Sequence, residues 1–186
     1  MRITSGSLGG RKLISPDGRS TRPTTDRARQ GLFNILTHAN WAKPLSGLRV
    51  LDLFAGSGAL GFEAISRGAE FCLFVEQDSN ARAAIRDNIE SFELFGHTRI
   101  HRRSAVDLGK KPASTGAAFD MVFLDPPYGK GLGEQALAEL YRYDWIADEA
   151  LLVFECGTEE QPDVSHFEIL DTRVYGAAKF LFLRHK

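Results

Sequence analysis

The order of apolar and polar residues along the chain predicts strands that alternate with helices. Five segments rich in branched and aromatic residues predict strands: "LRVLDLF" (48–54), "EFCLFVE" (70–76), "TRIHRR" (98–103), "FDMVFLD" (119–125) and "EALLVFEC" (149–156). Helical segments lie between them: "ALGFEAISRG", "SNARAAIRDNIESFEL" and "GEQALAELYRY". This alternation, with strands that are apolar on both faces, predicts a mostly parallel sheet covered by helices on each side.

The two ends of the chain depart from this alternation. Residues 1–16 form short extended pieces broken by glycines, and "SPDGRS" (15–20) predicts a turn, so we expect a hairpin. From Thr25 the apolar residues recur at helical spacing and predict an amphipathic helix of about four turns. The tail "HFEILDTRVYGAAKFLFLRHK" predicts two strands that close one edge of the sheet as an antiparallel hairpin. We therefore expect a seven-stranded α/β domain over 1–186, with an N-terminal extension (1–21), an element with a helix (22–45) and a core (46–186).

Length and composition are those of an ordinary globular domain. The chain has 186 residues, 43% apolar and 25% charged, and no apolar run long enough to span a membrane. The start "MRITSGSLGG" lacks the apolar stretch of a signal peptide, so we expect a cytoplasmic protein. Cys72 and Cys156 lie in apolar strand segments, where a thiol behaves as a small hydrophobic group. The His and Cys residues lack zinc-type spacing, and we predict no metal site.

Charge is distributed unevenly along the chain. The first 35 residues carry seven basic and two acidic side chains, a net charge of +5 that leaves −6 for the remainder. A basic N-terminal arm on an acidic body is typical of a protein that meets a polyanion through one face. A solvated charged surface gives the same pattern, so charge alone leaves both interpretations open.

The first candidate site is a glycine-rich turn after the first strand. "GSGALG" within "VLDLFAGSGALG" fits a pattern in which glycines let the backbone turn sharply and approach a bound ligand. Glu76 ends the next strand, 18 residues after Gly58, where an acid can accept hydrogen bonds from both hydroxyls of a ribose. These features predict a nucleoside-cofactor site. Asp52, in the strand end, favours a cationic ligand such as S-adenosylmethionine over the pyrophosphate of a nicotinamide cofactor.

The second candidate site is "VFLDPPYGKG" (122–131). Two consecutive prolines cannot continue a central strand, so the fourth strand must end at Asp125. Open parallel sheets bind ligands outside the carboxyl ends of their strands, which places Asp125 on the same edge as the glycine turn. The Asp125 carboxylate and the Pro126 carbonyl can each accept one N–H of an exocyclic amine, and Tyr128 can stack on its base. Alone, the two prolines indicate a strand terminator; joined to the first site, they favour amine methylation.

Together these motifs resemble a known group of enzymes. "DLFAGSG" with "DPPY" resembles the class I S-adenosylmethionine-dependent methyltransferases that modify exocyclic amines. "RPTTDRARQGLFNIL" (22–36) and "FVEQD" (74–78) narrow the resemblance to the bacterial 16S rRNA guanine-N2 methyltransferase family known as RsmD. The resemblance covers nearly the whole chain. It implies a Rossmann-like fold, S-adenosylmethionine as cofactor and 16S rRNA as partner, and the small recognition surface favours an assembling small subunit with bound ribosomal proteins.

The resemblance also assigns roles to residues. The catalytic loop consists of Asp125, Pro126, Pro127 and Tyr128. The expected cofactor-binding residues are Asp52, Phe54, Gly56, Ser57, Gly58, Glu76, Gln77, Ser104, Ala105 and Asp125, with Asp107 as an alternative adenine contact. Together with the basic arm, the resemblance predicts RNA contacts by Arg22, Thr24, Thr25, Arg27, Arg11, Lys12 and Lys130.

One stretch departs from the family pattern. The family commonly continues RPTTDR with Val-Arg-Glu-Thr, whereas this chain has "ARQG" at 28–31. We expect the missing acid at Gln30 to alter a contact near the cofactor. We also expect Gly31 to weaken the helix by up to about 1 kcal/mol relative to alanine.

Three other functions fit parts of the pattern. Amine methylation of DNA would use the same catalytic loop, and a nicotinamide-dependent oxidoreductase would use the same glycines. A non-catalytic RNA-binding module would depend on the basic arm and would tolerate Asp125→Ala. The RPTTDR element favours the ribosomal RNA methyltransferase.

Overall fold

A single mixed sheet forms the centre of the protein. The computed structural model describes residues 1–16 and 26–185. Within these residues the strands are β1 (Arg49–Leu53), β2 (Phe71–Val75), β3 (Thr98–His101), β4 (Phe119–Leu124), β5 (Ile146–Gly157), β6 (Phe167–Tyr175) and β7 (Ala178–His185). The helices are α1 (Asp26–His38), α2 (Ala59–Ser66), α3 (Ser79–Phe92) and α4 (Leu132–Arg142). The predicted order of strands and helices is confirmed.

The strand order creates a crevice at one edge of the sheet. The order is β3-β2-β1-β4-β5-β7-β6, in which β1 to β5 run parallel and β7 pairs antiparallel with β5 and β6. The chain builds from β1 out to β3 and then returns to place β4 on the other side of β1. Open α/β sheets bind ligands at such a reversal, outside the carboxyl ends of the strands. The antiparallel hairpin predicted for the tail is confirmed at the sheet edge.

Helices cover both faces because the parallel strands are apolar on both. Val50 and Phe123 belong to the core shared with α1, α2 and α3. Leu51 and Val122, their neighbours along the strands, belong to the core shared with α4. All four side chains are fully buried. Successive residues of a strand point to opposite faces, so the continuous apolar runs of the sequence are filled from both sides.

Two strand boundaries differ from the sequence predictions by more than one residue. β3 ends at His101 rather than at residue 103, because Arg102 and Arg103 are exposed and leave the sheet. β5 begins at Ile146, three residues before the predicted start. Its pairing with β4 shifts register near this end, and Glu149 has a left-handed φ of 60°. This irregular polar stretch interrupts the apolar pattern, which hides the start of the strand in the sequence.

A buried carboxylate attaches the N-terminal segment to the core. Glu63 of α2 is fully buried and accepts hydrogen bonds from the Thr4 hydroxyl at 2.6 Å and from Arg67 Nε at 2.9 Å. Arg29 of α1, also fully buried, places its Nε 3.5 Å from Glu63 Oε2. The Arg29 guanidinium also donates to the carbonyl of Arg2. One ion pair therefore joins α2, α1 and the start of the chain.

The N-terminal segment packs as a short turn on the core. Arg2 and Lys12 form an antiparallel bridge, and Ile3, Leu8 and Leu13 are buried against the sheet. The predicted turn at 15–20 and the RPTTDR element lie mostly outside the described residues. The division into 1–21, 22–45 and 46–186 stays a prediction. Among the helices of the described part, none is long and apolar enough to cross a membrane.

We predict that Glu63→Ala destabilises the protein by about 3–5 kcal/mol, because it leaves the buried Arg29 guanidinium with only the exposed Asp26 carboxylate as an ion-pair partner. Denaturant unfolding followed by circular dichroism measures the change. Glu90→Ala is the control, since it removes an exposed acid from α3 and should change stability by less than about 0.5 kcal/mol. Equal stability of the two variants would contradict the structural role of the buried pair.

Candidate functional site

Both sequence motifs line one cavity at the reversal of strand order. The cavity has a volume of about 1240 Å³, which exceeds the few hundred to about 1000 Å³ of ordinary ligand pockets. Residues from both predicted sites form its wall: Asp52, Phe54, Gly56, Ser57, Glu76, Gln77, Ser104, Ala105, Asp125, Pro126, Pro127 and Tyr128. The space is large enough for a nucleoside cofactor and part of a second molecule.

The glycine turn adopts the strained backbone that its sequence predicts. Phe54, Gly56 and Gly58 all have positive φ values, of 59°, 55° and 78°. Gly58 is buried at the start of α2, and a Cβ built on it would lie 2.7 Å from the ring of Phe62. Among the described residues, Gly58 is not part of the cavity wall. A glycine is therefore needed at position 58 for the packing of α2, whereas Gly56 and Ser57 line the cavity.

Glu76 organises the turn from the neighbouring strand. Its Oε2 accepts a hydrogen bond from Gly56 N at 2.8 Å, and its Oε1 accepts one from Asp78 N at 2.8 Å. A carboxylate oxygen has two acceptor positions, so each oxygen retains one for a further donor. The side chain lines the cavity and can thus hold the glycine turn and accept ligand hydroxyls together.

Asp52 is a buried acid in an acidic environment. The side chain is 1% exposed, and its Oδ2 accepts a hydrogen bond from Gly61 N at 3.0 Å. Burial raises the pKa of Asp52 well above its usual range, the Gly61 hydrogen bond opposes this, and the charges of Asp125 and Glu76 raise it further. A cation in the cavity would relieve this repulsion, so the site favours positively charged ligands.

The loop after β4 is held at two points. Asp125 is half-buried and Pro126 is buried, whereas the Tyr128 ring is 41% exposed at the cavity wall. The Tyr128 hydroxyl donates to Glu155 Oε1 of β5 at 2.5 Å. The next residue is also fixed, because Gly129 N donates to Glu160 Oε1 at 2.8 Å. The prolines end the strand as predicted, and two glutamates orient the loop that follows.

The residues predicted to bind RNA are dispersed. Arg27 is exposed and lines the cavity, whereas Arg22, Thr24 and Thr25 lie outside the described residues. The Arg11 guanidinium donates to the carbonyl of Ser91 and lies 4.8 Å from the ring centroid of Phe92, so α3 holds it. Lys12 and Lys130 are exposed, and neither is among the described residues of the cavity wall.

Part of the cavity wall comes from outside the two candidate sites, including Gln30, which was expected to lie near the cofactor. Gln30 and Gly31 of α1 and residues 174–178 of the β6–β7 hairpin complete it. A Cβ built on Gly31 would lie 3.2 Å from the Tyr175 ring, so the glycine makes room for that ring. Glu155 also lines the cavity but was not among the predicted site residues. The sequence could have indicated it, because it is an acid near the end of an apolar strand, like Asp52.

The cysteines lie in apolar surroundings. Both Cys72 and Cys156 are buried as free thiols. Burial raises the pKa of Cys156 to about 11, which disfavours the reactive thiolate. In the described ranges, no three His, Cys, Asp or Glu side chains are grouped as metal ligands.

Comparison with known proteins identifies the family. The family model described as conserved hypothetical protein 95 matches residues 1–184. The chain belongs to this family. It is 36% identical over 173 residues to the putative rRNA methyltransferase YlbH of Bacillus subtilis, covering 93% of this chain and 91% of the relative. The ribosomal RNA small subunit methyltransferase D of Escherichia coli is 38% identical over 160 residues, covering 86% of this chain and 76% of the relative.

A solved structure shares the architecture. The putative methyltransferase yhhF from Escherichia coli superposes with a TM-score of 0.84 at 34% identity, covering 100% of this chain and 98% of that one. The predicted Rossmann-like methyltransferase fold and the resemblance to the RsmD family are thereby confirmed. The roles assigned to individual residues rest on their position in the cavity and stay predictions.

We predict that Asp52→Asn stabilises the ligand-free protein and removes a pH dependence. Because the pKa of Asp52 is higher in the folded protein than in the unfolded chain, stability falls as pH rises between these two values. Relative to Asp52→Asn, the wild type should lose up to about 1.4 kcal/mol per pH unit above about pH 4, until the folded-state pKa is reached. Thermal unfolding from pH 4 to 8 measures this difference.

Asp87→Asn is the matched control, because Asp87 is an exposed acid on α3. Its stability should follow the wild type across the pH range. A constant difference between wild type and Asp52→Asn would contradict the raised pKa.

Proposed function

We propose that this protein transfers the methyl group of S-adenosylmethionine to the exocyclic N2 amine of a guanine in 16S rRNA, in an assembling small ribosomal subunit. The observation that carries the proposal is that the Asp125–Tyr128 loop and the glycine turn face one cavity. Two relatives named as ribosomal RNA methyltransferases support the choice of substrate. Cytoplasmic location follows from this substrate and stays a proposal.

The donor set of the cavity fits S-adenosylmethionine. Glu76 retains acceptor positions for the two ribose hydroxyls, and we propose that Ser104 and Ala105, which line the same cavity, contact the adenine. Gly56 lets the backbone approach the ligand closely. Asp52 contributes negative charge near the cationic groups of the ligand and disfavours a pyrophosphate. When bound, S-adenosylmethionine supplies a methyl group already activated by its sulfonium.

The loop after β4 can orient an amine for attack. The lone pair of an exocyclic amine is delocalised into its base, so the amine reacts only when its two N–H groups are held out of that arrangement. The Asp125 carboxylate and the Pro126 carbonyl can each accept a hydrogen bond from one of these N–H groups. The exposed ring of Tyr128 can stack on the base and fix its plane. The proton released after transfer can go to Asp125 or to water.

A small recognition surface around the cavity suits a substrate that is recognised by its folded shape rather than by its base sequence. The basic charge of the first 35 residues, apart from the buried Arg29, supports contact with phosphates, and the exposed Arg27 lies at the cavity wall. The loops and side chains around the cavity offer only a small recognition surface, so we expect a surface formed by RNA and bound proteins to supply the specificity. Gln30 removes an acid from this wall relative to the family pattern.

We predict that the protein transfers labelled methyl from S-adenosylmethionine to small subunits isolated from cells that lack it. Nucleoside analysis should yield N2-methylguanosine, and naked 16S rRNA should be the poorer substrate. Asp125→Ala should reduce the rate by about 100-fold or more, because one of the two amine contacts is lost. Asp148→Ala, which removes an exposed acid of β5, should leave the rate unchanged.

Other products separate the alternatives. N6-methyladenosine in ribosomal RNA, or methylation of duplex DNA, would contradict the proposed substrate. Isothermal titration calorimetry with S-adenosylmethionine and NAD tests the cofactor, and binding of NAD alone would indicate an oxidoreductase. Full cellular function of Asp125→Ala would indicate a binding module.

We predict that Arg22 and Arg27 neutralise phosphates of the RNA. The double alanine variant should bind small subunits more weakly, and the slope of log K against log salt should fall by about 2. Filter binding at several salt concentrations measures both quantities. Equal slopes for wild type and variant would contradict phosphate contacts by these arginines.

A further inference from the structure

The Tyr128 hydroxyl is bound by Glu155 of β5, a residue to which the proposed mechanism gives no role. The hydroxyl donates to Glu155 Oε1 at 2.5 Å, the short end of the range for a hydroxyl bound to a carboxylate. Glu155 is 6% exposed, whereas Tyr128, whose hydroxyl it accepts from, is 41% exposed. The hydrogen bond therefore joins the partly exposed Tyr128 ring to the buried carboxyl group of Glu155.

Glu155 is itself held rigidly. It lies in β5 next to Phe154, which pairs with Leu124 at the end of β4. Glu155 itself pairs with Phe180 of β7. A residue within a paired strand has a better-defined position than the loop that carries Tyr128.

We propose that Glu155 is a positioning residue that fixes the plane of the Tyr128 ring, and through it the orientation of the base whose amine is methylated. This proposal rests on the proposed function. The hydrogen bond holds the far end of the ring and so restricts rotation about the Cα–Cβ bond. Because the O–H bond of a phenol prefers the plane of its ring, an acceptor in a fixed position also favours one orientation of that plane. Burial, the Glu155 hydrogen bond and the nearby carboxylates all raise the pKa of Tyr128. The hydroxyl therefore stays protonated and remains a donor.

A second glutamate, Glu160, holds the backbone of the loop, whereas Glu155 holds the Tyr128 ring. Glu160 Oε1 accepts from Gly129 N at 2.8 Å and its Oε2 accepts from Gly157 N at 2.5 Å, so it holds the backbone of the loop. With the backbone held by Glu160, loss of the Glu155 contact frees the ring while the loop remains in place. The effect of Glu155 variants should therefore appear in the orientation of Tyr128 rather than in the fold.

The first test observes the ring without any reaction. The chain has four tyrosines, so ring-labelled protein gives few signals, and Tyr128→Phe assigns the one of interest. We expect Glu155→Ala to shift the Tyr128 ring-carbon resonance and to increase the fast motion of the ring. Glu155→Gln, which retains an acceptor oxygen, should largely preserve both. Unchanged ring motion in Glu155→Ala would overturn the proposal, whatever reaction the protein catalyses.

The second test is a double-mutant cycle in methyl transfer to small subunits. Tyr128→Phe and Glu155→Ala should each lower kcat by about 10- to 100-fold with a smaller change in KM, because the base is bound but misoriented. The double variant should be no slower than the slower single variant, since both remove one contact. Glu155→Gln should recover most of the rate. Multiplicative effects of the two substitutions would overturn the proposal.

Controls separate this proposal from the proposed function. Glu159→Ala removes an exposed acid four residues further along and should leave kcat unchanged. Affinity for S-adenosylhomocysteine and the melting temperature of Glu155→Ala should match the wild type, which excludes loss of the cofactor site or the fold. If wild-type protein methylates no RNA, the proposed function fails in the wild-type measurement, and the positioning role in that reaction fails with it. If the wild type is active and the cycle is multiplicative, only the role of Glu155 is overturned.

Discussion

Repulsion among acidic groups at one edge of the sheet governs the site. Four adjacent parallel strands, in the order β2, β1, β4 and β5, have an acid within two residues of the strand's last residue: Glu76, Asp52, Asp125 and Glu155. Carboxylates brought together in this way disfavour one another: the pKa of Asp52, raised mainly by burial, is raised further by the charges of Asp125 and Glu76. Such an edge stays folded because backbone N–H groups and a hydroxyl donate to three of these acids. The same field attracts a cation and opposes a pyrophosphate.

The part of the cavity wall formed by α1 depends on a buried ion pair, Arg29 with Glu63. α1 carries Gln30 and Gly31 along the cavity, and the pair between Arg29 and Glu63 fixes this helix against α2. Burying both charges costs free energy, which the hydrogen bonds of Thr4 and Arg67 to Glu63 offset. The N-terminal segment is therefore part of the cavity's construction and not a separate appendage.

The departure from the family pattern at Gly31 has a packing explanation. In isolation a glycine inside α1 weakens the helix by up to about 1 kcal/mol. In the fold its missing side chain admits the ring of Tyr175, which also packs edge-on against Phe180 with ring centroids 5.9 Å apart. The β6–β7 hairpin thereby reaches across the sheet edge to α1. The loss of helix stability expected at Gly31 is therefore compensated by the packing of Tyr175, 144 positions away in the sequence.

The sequence by itself determined the order of elements, because hydrophobic periodicity and turn chemistry act within a few residues. It also determined where β4 ends, since prolines cannot pair, and that Asp52, Glu76 and Asp125 share one edge, since parallel strands align their carboxyl ends. Only the tertiary structure decided that Gly58 packs α2, that the tail hairpin completes the cavity and that Glu155 holds Tyr128. These contacts join distant segments, and their geometry depends on strand register and side-chain packing, which no local pattern specifies.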